Sequence, residues 1–117
     1  MTAQQISFVK NSLQAAVSAG ASFNMNPTVI LAQAAFESGW GMSKLATGSN
    51  NYFGLTAYGC SNQYWHGGKT TVNTGSYSLD FRRYDTRENS FLDFARLIRN
   101  NYRTAWQASN NPEAYAH

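Results

Sequence analysis

Cysteine and histidine are scarce in this chain of 117 residues, and each scarcity removes a class of explanation. The single cysteine, Cys60, permits no intrachain disulfide, so the thiol count points to neither an oxidising nor a reducing compartment. Two histidines, His66 and His117, with one cysteine provide no metal-ligand spacing; no metal and no cofactor is expected. No apolar run approaches the roughly 20 residues of a membrane-spanning helix, because the best candidate, Val29 to Phe36, is short and contains Gln33. Met1 is followed by the polar Thr2, Gln4 and Gln5, so no signal peptide is visible. Charge is also sparse, at 13% of residues with a net +3. That mild excess suits anionic partners in general. The basic residues scatter, apart from Arg82-Arg83 and the helical Arg96, Arg99 and Arg103, and do not interleave with aromatics, so no nucleic-acid partner is expected.

What is present suffices for one core. Hydrophobic residues make up 43% and aromatics 15%, and the length suits a single domain over residues 1–117, expected to be monomeric. Thr2 and Gln5 have capping-box spacing, and Ile6, Val9, Leu13, Ala16 and Val17 recur at helical spacing as an expected core stripe, with Gly20 ending that helix. Asn26-Pro27 signals a second helix start. Its body, Val29 to Phe36, is apolar almost all round, so the helix is expected to lie buried at the centre, stopped by Gly39 and Gly41. A turn of helix over Ser43 to Ala46 precedes a Gly-, Asn- and Tyr-rich loop from Thr47 to Gly59. Tyr64 to Tyr84 reads as a β-hairpin or three-stranded ribbon. Thr86 or Ser90 then caps a helix with the stripe Phe91, Phe94, Ala95, Leu97, Ile98 and Tyr102. A short helix around Ala105 to Ala108 and a fresh helix start at Asn111-Pro112 close the chain.

Glu37 falls in the last turn of the apolar helix. Burial and the negative end of a helix dipole both disfavour an ionised carboxylate, and a carboxyl kept protonated near neutral pH is what protonates a leaving oxygen in glycoside cleavage. The competing reading is a solvated helix-end Glu, or one paired with Lys44. Its company favours chemistry. Trp40 and two glycines follow it, and Asn50, Asn51 and Phe53 come next, then Tyr64, Trp65 and Tyr84. Amide side chains can bond sugar hydroxyls and aromatic faces can stack on sugar rings, although any one of these aromatics is more often core.

The segment Ala32 to Ser43, reading AQAAFESGWGMS, resembles the catalytic segment of the bacterial β-N-acetylglucosaminidases of glycoside hydrolase family 73. That family includes flagellar-rod peptidoglycan hydrolases and autolysins. Asn50 to Leu55 (NNYFGL) is similar to the family's N-x-F-G-I loop, and Phe81 to Asp85 (FRRYD) with Glu88 to Phe91 resembles its F-R-x-Y-D…S stretch. The three segments occur in the right order over about residues 28 to 102. The resemblance implies an α+β, lysozyme-like fold, mostly helical with a small β-hairpin lobe and a cleft between. It also implies a peptidoglycan hydrolase acting at the cell wall, cutting the glycan strand after N-acetylglucosamine with Glu37 as general acid. Trp40, Asn50, Asn51, Phe53, Tyr64, Trp65 and Tyr84 are the expected substrate-binding residues. The alternatives are a muramidase or lytic transglycosylase acting on the adjacent bond, or a non-catalytic peptidoglycan-binding module. Two departures stand out. The stretch Lys69 to Tyr77 lacks the family's hairpin Glu, leaving Asp80, Asp85 and Glu88 as the nearest acids, with Asp85 read as structural. The chain also stops before a further Tyr-rich helix, so the domain is expected to be truncated at its C-terminus.

Overall fold

The computed structural model describes residues 1–109, with side chains as far as residue 103. The capping signals act where the sequence places them. Thr2 Oγ1 accepts the Gln5 N–H at 3.1 Å, and Gln5 Oε1 accepts the Thr2 N–H at 3.0 Å, so both exposed donors at the start of α1 (Ala3–Phe23) are satisfied. Asn26 Oδ1 accepts the Thr28 N–H at 2.8 Å to open α2 (Pro27–Ser38). Ser43 Oγ does the same for Ala46 at α3 (Lys44–Ser49). β1 (Lys69–Asn73) and β2 (Ser78–Arg82) form an antiparallel hairpin with Lys69 opposite Arg82. Thr56 bridges to Phe81 and lays the incoming loop along β2. Of the two candidate caps for α4 (Arg87–Ser109) it is Thr86 that caps, accepting from the Asn89 N–H. Mostly helix with one small hairpin, the architecture is the expected α+β one.

α1 packs against both α2 and α4. The core comprises Phe8, Ala15, Ala16 and Ala19 of α1, Ile30, Ala34 and Ala35 of α2, Ala46, Tyr52 and Phe53, and Phe91 and Ala95 of α4. Alanines at the crossings let the helix axes approach, and the aromatic side chains fill the space beyond them. Phe53 stacks on Phe94 at 4.0 Å between ring centroids and meets Phe91 edge-on at 5.0 Å.

Several expectations fail. Ile6, Leu13 and Val17 are exposed, while the small Ser12, Ala15, Ala16 and Ala19 are buried together with Phe8. The spacing rule favours large apolar residues, whereas close helix contacts favour small ones. The helix also runs through Gly20 to Phe23. A Cβ at Gly20 would come within 2.6 Å of the Met25 carbonyl oxygen, so this glycine serves a close backbone approach and not a helix end. α2 is buried on one face only: Val29 is 60% exposed and Phe36 81%. Ile98 and Tyr102 of the α4 stripe are also exposed. α4 continues unbroken through the stretch expected to form a separate short helix, and the Asn111-Pro112 start lies outside the described residues.

Candidate active site

Glu37 sits in the last turn of α2, as the sequence indicates, but its side chain is exposed and not enclosed by apolar residues. The expectation of a buried carboxyl is therefore corrected. α2 turns Phe36 and Glu37 outward because the inner face is taken by Ile30, Ala34, Ala35 and Ser38. Gln33, one helical turn earlier, donates its Nε2 to Glu37 Oε1 at 3.1 Å and favours that orientation of the carboxyl.

The glycines and Trp40 after Glu37 build a tight reversal. Gly39, Trp40 and Gly41 all have positive φ (57°, 58° and 79°). Buried Ser38 organises that turn: its Oγ donates to the Ala34 carbonyl at 2.6 Å and accepts the Gly41 N–H at 2.8 Å. A Cβ at Gly41 would lie 2.8 Å from a Phe8 ring carbon, so only glycine lets α1 approach. Trp40 is half-buried and meets Phe8 edge-on at 6.1 Å. Much of the Glu-Ser-Gly-Trp-Gly segment thus exists to end α2 sharply beside an uncovered carboxyl group.

The loop from Asn50 to Leu55 approaches that group. Asn50, with φ 52°, caps α3 and donates its Nδ2 to the Tyr84 carbonyl at 3.1 Å. Asn51 is buried and fully used. Its Nδ2 donates to the carbonyls of Leu55 and Arg82, and its Oδ1 accepts from the N–H groups of Phe53 and Leu55. Phe53 is in the core. Held at both positions, the loop presents Gly54, with φ 63°, to the acid: a Cβ there would lie 4.0 Å from Glu37 Oε2. Glycine keeps the space in front of the carboxylate open.

A second polar centre lies behind this loop. Asp93 on α4 is fully buried and accepts four bonds. Oδ2 takes Arg82 Nη1 at 2.6 Å and the Tyr84 hydroxyl at 2.5 Å, and Oδ1 takes Asn62 Nδ2 at 3.1 Å and Arg96 Nε at 3.2 Å. Arg82 also donates to the Thr56 and Tyr58 carbonyls, and its guanidinium lies 4.2 Å over the Trp65 ring. Burial, then the neighbouring Asp93 carboxylate, push the Tyr84 hydroxyl well above the usual tyrosine range.

The expected substrate-binding set therefore divides. Asn51, Phe53, Trp65 and Tyr84 are buried and committed to internal contacts, which leaves them no face for a sugar. Asn50 serves the backbone, and Tyr64, half-buried, meets Phe23 edge-on at 6.1 Å. Among the acids, Asp80 accepts from Thr71 Oγ1 at 2.6 Å and Asp85 pairs with His66 Nδ1 at 2.7 Å. Sequence reasoning missed Gln33, whose signal is its i, i+4 spacing to Glu37, and the exposed ring of Phe36 next to the acid. It also missed Asp93, whose signal is a carboxylate bordering the apolar stripe of α4.

The sequence model of the glucosaminidase family, described as mannosyl-glycoprotein endo-beta-N-acetylglucosaminidase, matches residues 13–117. The chain is 31% identical to the peptidoglycan hydrolase FlgJ of Vibrio parahaemolyticus, over 93% of its own length and 38% of that protein's. It is 33% identical to FlgJ of Vibrio cholerae, over 95% of its own length and 36% of that protein's. The fold is similar to the glycoside hydrolase domain of Salmonella typhimurium FlgJ, with a TM-score of 0.71 and 29% identity, covering 86% of this chain and 64% of that one. It also resembles the catalytic domain of the Listeria monocytogenes autolysin Auto, with a TM-score of 0.64 and 27% identity, covering 81% and 56% respectively. A family match over most of its length, on a helical body with one small hairpin, places this chain in the glucosaminidase family of glycoside hydrolases.

Proposed function

We propose that this domain hydrolyses the glycan strand of peptidoglycan after N-acetylglucosamine, acting at the cell wall with Glu37 as general acid. The supporting observation is the setting of Glu37: an uncovered carboxyl at a helix end, oriented by Gln33 and faced by the side-chain-free Gly54. The relatives named as peptidoglycan hydrolases agree with that substrate. Exposure changes the mechanistic account. The described residues leave Glu37 open to water, and a bound glycan would exclude it. A carboxyl covered by substrate loses its water, and loss of water favours the neutral, proton-donating form. The exposed Phe36 ring offers an apolar face for a sugar beside the acid.

The test is Glu37→Gln, which is nearly isosteric and exposed, so folding should survive. Clearing of a peptidoglycan suspension is expected to fall at least about 10²-fold, the lower end of what general acid catalysis contributes. A variant retaining half of the wild-type rate refutes the assignment. Mass spectrometry of the products separates the neighbouring chemistries: reducing N-acetylglucosamine ends support the proposal, and 1,6-anhydro ends indicate a lytic transglycosylase. Binding to insoluble peptidoglycan with no clearing marks a binding module.

A further inference from the structure

A cavity of about 470 Å³ opens beside the Asp93 centre, within the size range of small-ligand sites. Its wall is formed by Leu55, Thr56, residues 58–62, Arg82, Arg96 and Leu97. Among the described residues two arginines line it and no acid does. Behind the wall, Asp93 is, among the described residues, the one carboxylate paired with both guanidiniums, and its oxygens already accept four bonds. One positive charge is thus left over in an open pocket whose Arg96 side chain is only 26% exposed, where attraction for an anion is stronger than in open solvent. Planar guanidinium groups match carboxylates in shape as well as charge. The cavity and the acid share one loop. Leu55 and Thr56 follow directly on Gly54, so at roughly 3.3–3.6 Å per residue the wall begins within about 10 Å of Glu37.

We propose that this cavity binds a carboxylate of the acidic stem peptide that branches from the peptidoglycan glycan strand, so that the domain reads the peptide beside the bond it cuts. The proposal rests on peptidoglycan being the substrate. Arg96 supplies the accessible charge, while Arg82, buried and bonded to Asp93, Thr56 and Tyr58, holds the site's shape.

Cys60 lies in the cavity wall, is exposed and is the chain's one cysteine, so its alkylation rate reports occupancy without reference to catalysis. A free tetrapeptide stem with intact carboxylates is expected to slow alkylation of the wild type, and the fully amidated peptide is not. In parallel, the ratio of kcat/KM on peptide-bearing strands to that on peptide-stripped strands should fall about tenfold in Arg96→Gln, the scale of one charge-assisted contact. Ser61→Asp places a competing carboxylate in the wall and leaves the Asp93 bonds intact, so it should lower the same ratio even if Arg96→Gln fails to fold. Equal protection by both peptides, no protection by either, or a ratio unmoved in Ser61→Asp overturns the proposal. If the wild type cuts neither strand, the hydrolase reading fails, and the alkylation experiment still decides the cavity.

Discussion

Replacing Asp93 with alanine isolates the interaction that joins the hairpin to the helical body. The carboxylate is 0% exposed and compensates the buried Arg82 guanidinium, so the variant strands a positive charge and leaves the Tyr84 hydroxyl and Asn62 amide without their acceptor. Breaking one side of a buried pair costs about 3–5 kcal/mol, and each stranded neutral donor about 1–3 kcal/mol before relaxation. These terms overlap because water can enter from the adjoining cavity, which argues for a total of about 4 kcal/mol. Small domains have only about 5–15 kcal/mol in all, so Tm should fall by roughly 15 °C at about 4 °C per kcal/mol. Urea unfolding followed by circular dichroism measures the loss, with an unchanged m-value confirming a native-state effect. The double variant Arg82→Met with Asp93→Leu removes both charges together, and should be less destabilised than the two single changes summed. A loss below about 1 kcal/mol in Asp93→Ala, or strict additivity in the double variant, refutes this account of the centre.

Three further outcomes follow from the packing. Trp65→Ala should destabilise by about 3–5 kcal/mol, because the ring is buried beneath Arg82; weaker glycan binding at unchanged stability would instead restore Trp65 to the binding surface. Gly41→Ala should cost about 2–4 kcal/mol, combining a left-handed φ of 79° with overlap onto Phe8, and thermal melts read it directly. Stability should decline above about pH 10, since Tyr52 and Tyr84 are both raised, chiefly by burial. There the unfolded chain releases protons that the folded one keeps, so the unfolded state binds fewer and stability drops with rising pH. That stability is complete below the ordinary tyrosine value. Chemical denaturation at pH 8, 10 and 11 tests the sign, and a flat profile contradicts it.

What the chain determined by itself are the features whose partners lie within a few residues. Thr2 finds Gln5, Asn26 finds Thr28, Ser43 finds Ala46, and the hairpin closes through Thr74 and Tyr77, because such bonds form wherever the backbone bends locally. The same locality puts Glu37 at the end of α2, with Gln33 one turn behind it. The tertiary structure alone decided which faces are covered. Ile6, Leu13 and Val17 lost the inside of α1 to alanines because axis separation, not side-chain size, governs a tight crossing. Phe36 and Glu37 stayed in the open because a single face of α2 had neighbours. Asn51 and Tyr84, which look like sugar ligands in a string of letters, were claimed by partners 31 and 9 positions away. An unpaired polar atom costs more inside the domain than at its surface, so the fold used those groups to satisfy its own interior. Residue spacing does not carry that information, because it depends on which distant segments pack together.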